Sequence, residues 1–439
     1  MNSYIVEENR MQKKNVTMFI VYILCLLSAL FFSITQISII GIVATVIICA
    51  YTIQLPDHEL FQFLFGLQFL RAVIRFQFGS ASYVFILLVY VCLIFRMIRR
   101  RYVIKEFITI FGLFILDVVS SGIDGIFNIG DNINWIGSLA FVVYILICCK
   151  DKIKYERMLI YFCLAEWIIC LINICAEIKT FGYSLVPGMY GIYTEQLGAF
   201  AFGKAYAAVA GGNGISFNNA LAIALCFMQL PREKEKTKKL FYIISIIFFA
   251  YTGMMVVSRG FYIEILLFGI MYILSLTEKP SRFIGTLVGI VIIGAFFYFY
   301  AYGQLNSVFL NVSARFESGN ADRTELINQA QLLLENNLKV LLFGGGSYYP
   351  ETYGFTAHNV FWDSAVSLGI VGMIVYWFII IKTVVLALKG IVVKKLQVFI
   401  PIIMLVSFKM ISGSIRDVGL YYFIALVVFF AIDYSKERY

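Results

Sequence analysis

Seven side chains in this 439-residue sequence combine reactive types with unusual places: Arg259, Arg315, Arg323, His358, Asn359, Asp363 and Arg416. Arg259 sits in VVSRGFY, at the end of an apolar run. Arg315 and Arg323 belong to a long polar stretch that ends at His358, and Arg416 occupies the turn SGSIRDVG. A guanidinium binds phosphate oxygens through two parallel hydrogen bonds, so several converging Arg suit a planar, multivalent anion. A neutral imidazole near pH 7 can take a proton from a reacting hydroxyl. His358 also opens an apolar run, where free backbone N–H groups and the helix dipole favour an anion. Asn359 follows it, with Trp362 and Asp363 on the next turn. Bland alternatives are an Arg416–Asp417 pair and headgroup snorkelling. The second histidine, His58, falls in a short loop and reads as solvated.

The elements that would position these groups are membrane helices. The chain is 61% hydrophobic and only 14% charged, against about a quarter charged in soluble domains. Its apolar runs reach the roughly 20 residues that cross a hydrocarbon core. The fold class is therefore an all-α polytopic membrane protein, a single transmembrane domain over 1–439. Spans are expected at 16–34, 37–55, 60–79, 82–98, 106–120, 133–149, 156–175, 213–230, 240–257, 261–276, 283–302, 359–381, 397–413 and 417–433. If 60–79, which carries Arg71 and Arg75, is interfacial, the count drops towards twelve. The first run, from Val16, has no small-residue cleavage site after it and reads as a retained span.

A net charge of +9 does not point to nucleic acid, because of where the charge lies. Most of the 35 Lys and Arg fall in the short loops 96–105, 150–157, 232–239, 279–282 and 382–395, with Lys13, Lys14 and Lys436 beside them. That bias marks cytoplasmic loops and puts both termini inside. The exceptions are Arg71, Arg75, Lys179, Lys204, Arg259, Arg315, Arg323, Lys339, Lys409 and Arg416. At membrane depth such groups pair or line a cavity, and Asp117, Glu166 and Glu264 are available as partners for Arg71 and Arg75. The nine Cys are scattered through apolar runs and suggest neither a disulfide framework nor a zinc site. No metal or other cofactor is called for.

Two outer loops are long. The first, 176–212, is rich in Tyr and Gly; the second, 303–357, contains an amphipathic helix near 322–339 and then Gly344–Gly346. Ala365, Gly369 and Gly372 make a small-residue stripe along the span that follows His358.

His358-Asn359, nine residues, and Gly369-Ile370-Val371-Gly372 together resemble the histidine motif of the O-antigen ligase and Wzy-type polysaccharide polymerase superfamily. The order of features agrees over about 251–381: Ser258-Arg259-Gly260 at a helix end, a long loop with Asp322-Arg323, a Gly-rich turn, then His-Asn. The resemblance implies a GT-C-like fold and inverting, metal-independent glycosyl transfer on the outer face of a bacterial cytoplasmic (inner) membrane. Donor and acceptor would be oligosaccharides on undecaprenyl pyrophosphate, with membrane lipids and a chain-length regulator protein as further partners. His358, Arg323 and Arg259 would be catalytic; Arg259, Arg315, Arg323 and Arg416 would bind pyrophosphate, and Asn359 and Asp363 would support them. Alternatives are an O-antigen ligase acting on lipid A core and a lipid-linked oligosaccharide flippase. The first outer loop departs from polymerases with two Arg-rich loops, since it carries only Lys179 and Lys204.

Overall fold

The computed structural model describes residues 2–35, 37–69, 84–102, 104–123, 129–181, 212–256, 258–276, 313, 321–346, 349–391 and 396–436. Among them there is no strand. The first ten helices are α1 (Asn2–Thr35), α2 (Ser38–Gln54), α3 (Asp57–Phe69), α4 (Val84–Arg99), α5 (Glu106–Ile123), α6 (Ile129–Cys148), α7 (Tyr155–Phe181), α8 (Gly212–Gln229), α9 (Lys236–Met255) and α10 (Arg259–Leu274). Then come α11 (Ala321–Asn336), α12 (Leu338–Phe343), α13 (Tyr349–Tyr353), α14 (Val360–Leu388), α15 (Ile400–Ser412) and α16 (Val418–Lys436).

Among the described residues, three stretches are long and apolar enough to cross a membrane: Tyr155–Cys175, Val360–Leu388 and Gly419–Lys436. Shorter apolar helices cover Val16–Phe32, Ile39–Gln54, Asn132–Cys148, Gly214–Gln229 and Leu396–Ser412. The chain is thus all-α, with helices suited to a membrane. The expected span 283–302, residues 182–211 of the first long loop, residues 303–312, 314–320 and 347–348 of the second, and Arg71, Arg75, Lys204 and Arg315 lie outside the described residues.

Among the described residues, the loops 96–105, 150–157, 232–239 and the start of 382–395 take part in ion pairs; the loop 279–282 lies outside them. Arg96 pairs with Asp57 at 2.5 Å, Lys238 with Glu156 at 2.6 Å, and Arg232 with Asp433 and Lys382 with Glu106 at 2.8 Å each. Between the ends, α1, α3, α6, α7, α8 and α16 share one large apolar core. Phe61 stacks on Tyr422 there, with ring centroids 5.6 Å apart. A second, smaller cluster unites α11, α12 and α13 with the start of α14: Ala330, Leu334, Val340, Tyr349, Phe355, Ala357, Ala365 and Val366.

Two expected elements differ. The helix read over 322–339 ends at Asn336 and restarts at Leu338, because the Asn337 side chain caps the new helix by accepting from the Val340 N–H at 3.2 Å. The small-residue stripe is not on a continuous helix either. Gly369 has φ +66° and breaks α14 in two. Trp377 Nε1 donates to Ser364 Oγ at 3.1 Å although the two are thirteen residues apart, a separation of about 20 Å along an unbroken helix. The two halves therefore fold back against each other. From Ile370 to Leu388 the second half still rises about 28 Å, enough for the hydrocarbon core.

The break frees carbonyls that lipid cannot satisfy. Gly345 N–H donates to Val366 O at 2.7 Å and Gly346 N–H to Ser367 O at 3.0 Å. Only glycine allows this fit. A Cβ on Gly344 (φ +83°) would collide with the Ser367 carbonyl, and one on Gly369 with the Leu342 backbone.

Candidate functional site

The fold-back brings the end of the long polar stretch onto the start of α10 and the end of α15. Asn359 begins the first half of α14 as its N-cap, its side-chain oxygen accepting from Phe361 N–H at 2.9 Å and Trp362 N–H at 3.2 Å. Those N–H groups are thereby taken by the chain itself, so they are not the anion site that a free helix start would offer. The Asn359 amide donates across to Met410 O, at 2.5 Å. One residue along, Arg323 Nη1 donates to Ile411 O at 2.7 Å. Both carbonyls lie in the last turn of α15 and have no partner within that helix. Asn359 and Arg323 thus cap one helix end from two directions, which seats the first turn of α11 beside His358.

Arg259 is the first residue of α10 and Arg323 lies in the first turn of α11, near enough for the Arg259 charge to act on Arg323. Burial first, and then the nearby Arg259 cation, lower the pKa of Arg323. Among the described residues no carboxylate forms an ion pair with Arg323. His358 completes the group. Its backbone has φ +49°, a left-handed conformation that few non-glycine residues hold. Its side chain keeps an exposed surface, yet surrounding protein and then Arg323 push its pKa below 6.5, while Asp363 opposes them. The imidazole is accordingly neutral at pH 7 and able to accept a proton.

Arg416 is placed differently. Its neighbour Asp417 takes Lys409. Its Nη2 lies 3.5 Å from Oδ1 of the fully buried Asp117, whose Oδ2 accepts from Trp135 Nε1 at 3.1 Å. Lys409 is ringed by Phe217, Phe408 and Phe423 at 5.4–6.0 Å. Among the described residues, Glu166 accepts from Asn218 Nδ2 and Glu264 from Ser407 Oγ, both at 2.8 Å; Arg71 and Arg75, their expected partners, lie outside them.

Asp363 is buried and faces His358 electrostatically, but its hydrogen bonds go elsewhere. Tyr349 Oη donates to Oδ1 at 2.7 Å; Ser414 Oγ at 2.9 Å and Ile415 N–H at 2.8 Å donate to Oδ2. The carboxylate ties α13 and the start of α14 to the turn between α15 and α16. Tyr349 and Ser414 do not stand out in the sequence, where Tyr349 is one of 28 tyrosines, and Asp117 stands out there only as a partner for Arg71 and Arg75. Of the predicted site residues, the structure gathers Arg259, Arg323, His358, Asn359 and Asp363 at one end of the bundle. It seats Arg416 nearby against Asp117. Compared with family models, curated proteins and solved structures, the chain matches none.

Proposed function

We propose that this chain is a membrane glycosyltransferase that polymerises undecaprenyl-pyrophosphate-linked oligosaccharide repeat units on the outer face of the bacterial cytoplasmic membrane. The observation that carries the reading is the placement of Arg323 near Arg259 and His358, with no carboxylate paired to it among the described residues. Two adjacent guanidinium groups and a neutral imidazole suit a reaction that expels a pyrophosphate while activating a hydroxyl. The resemblance of the His-Asn…Gly-x-x-Gly motif supplies the substrate class.

In this reading the acceptor sugar hydroxyl gives its proton to the His358 imidazole as its oxygen bonds the anomeric carbon of the donor. The bond from that carbon to the pyrophosphate oxygen breaks on the opposite face, inverting the centre. The electron pair leaves with the undecaprenyl pyrophosphate, whose charge Arg259 and Arg323 stabilise. Asn359 fixes the start of α14 and Asp363 steadies the turn beside it; neither takes part in bond changes.

The test is purified full-length protein in lipid with one lipid-linked repeat and no other acceptor. A ladder of products is expected. A single transferred product seen only when lipid A core is added would make it a ligase, and no transfer at all would overturn the reading.

A further inference from the structure

We infer that Tyr349 is a positioning residue, its buried hydroxyl holding the segment before His358 and the first turn of α14 together so that the imidazole stays set against Arg323. Tyr349 is fully buried, and its hydroxyl does two things at once. It donates to Asp363 Oδ1 at 2.7 Å and accepts the Ala357 N–H at 3.0 Å. Ala357 immediately precedes His358, and Asp363 lies one turn into the helix that His358-Asn359 opens. The hydroxyl therefore brackets His358 from both sides in sequence.

That bracket is anchored. Asp363 Oδ2 is held by Ser414 Oγ and Ile415 N–H, and Tyr421 Oη in turn donates to Ile415 O. A left-handed backbone at a non-glycine residue persists only where its surroundings over-determine it. At His358 the determinants are the Tyr349 bond on one side and the Asn359 cap on the other. The plain alternative is a core tyrosine that fills the small cluster and meets Phe355 edge-on at 5.8 Å. Tyr349→Phe separates the two, because it keeps the ring and removes only the hydroxyl.

The proposal rests on His358 being the proton acceptor of the function above, but it can be read without that function. The chain has two histidines, so in a His58→Gln background a ¹³C-histidine spectrum of the full-length protein in lipid reports His358 alone. Among the described residues, the charged groups that act on His358 are Arg323 and Asp363, while Arg416 acts on Tyr349. With the hydroxyl gone, His358 should relax from its enclosed setting. Its resonance should shift, its titration midpoint should rise towards 6.5, and kcat should fall about tenfold with KM for the lipid-linked repeat unchanged. Asp363→Asn removes a carboxylate that raises the midpoint and should move it the other way. Ser414→Ala takes one donor from Asp363 without touching Ala357 and should leave the His358 resonance in place.

An unmoved His358 resonance in Tyr349→Phe overturns the proposal, as does an equal displacement in Ser414→Ala. If Tyr349→Phe fails to accumulate, the Asp363→Asn and Ser414→Ala spectra decide it by the same contrast. A moved resonance together with full-length polymer from His358→Ala would keep the positioning role and defeat the polymerase reading. A dead His358→Ala with an unmoved resonance would do the reverse.

Discussion

The two ends of the bundle handle positive charge in opposite ways. At the loop-rich basic end, Arg96 is almost wholly buried, donating to the carbonyls of Thr52, Ile53 and Leu55 and to Asp57. It closes the C-terminus of α2, where carbonyls lack helical partners and the dipole favours a cation. Arg232, Lys238 and Lys382 each meet a carboxylate. At the opposite end Lys409 and Arg416 also find Asp417 and Asp117, yet Arg323 lies near enough for the Arg259 charge to act on it. Two like charges held together in a partly dehydrated place oppose folding. In the function proposed above, the difference is between cations that only hold helices together and a pair, one of which also caps α15, that would face a ligand.

The sharpest way to break that comparison is to remove one arginine from each end. Arg323→Ala or Arg259→Ala should lower the rate of polymer formation about 10²–10³-fold, the usual effect of deleting one group that stabilises developing charge. Membrane levels should stay near wild type, because relieving an Arg–Arg repulsion offsets part of the lost packing. Arg96→Ala should behave in reverse, losing roughly 3 kcal/mol of stability by stranding buried carbonyls and Asp57, while the protein that folds keeps its turnover. Rates normalised to folded protein, with thermal melts alongside, read both. Equal losses of turnover at both ends would erase the distinction.

The next prediction concerns the scaffold under the site. Gly369→Ala places a Cβ against the Leu342 backbone at a positive φ, so it should cost on the order of 1–3 kcal/mol in strain, and more where the Gly345 and Gly346 hydrogen bonds are lost. Gly372→Ala, on the regular half of α14, meets only the side chains of Leu116 and Leu368 and should cost less. Equal melting temperatures for the two variants would mean that the fold-back does not depend on Gly369.

Much of this architecture was legible in the sequence, and the gaps have physical causes. Apolar runs and basic loops located the helices and grouped Lys150, Arg232, Lys238 and Lys382 on one side, because membrane insertion ties both signals to topology. The His358-Asn359 start and the Arg259 and Arg323 positions were readable because charges in apolar surroundings stand out. The break at Gly369 was not. Ala365, Gly369 and Gly372 give the same spacing whether the glycine serves close helix packing or a positive φ. Asp117 as a partner of Arg416 is illegible for another reason: it lies on α5, almost 300 residues away in sequence, and is brought in only by tertiary folding. The role of Tyr349 depends on two hydrogen bonds to residues eight and fourteen positions away, which no local pattern encodes.

A smaller effect would sharpen the contrast at His358. With its pKa below 6.5, the imidazole is mostly neutral at pH 6.5, where an ordinary histidine would be half protonated. Activity should therefore hold as pH falls to 6.5 and decline only below it, as the base is lost to protonation. Arg323→Gln removes a cation that lowers this pKa, so the acid limb should move up in pH. Asp363→Asn removes a carboxylate that raises it, so the limb should move down. Opposite shifts in the two variants are the expected result. His358→Gly completes the set: it should abolish turnover yet leave stability unchanged or up to about 1 kcal/mol higher, since glycine adopts φ +49° without the penalty a side chain incurs. A melting temperature well below wild type in His358→Gly would mean that the imidazole serves packing, and the strained backbone would then have no functional explanation.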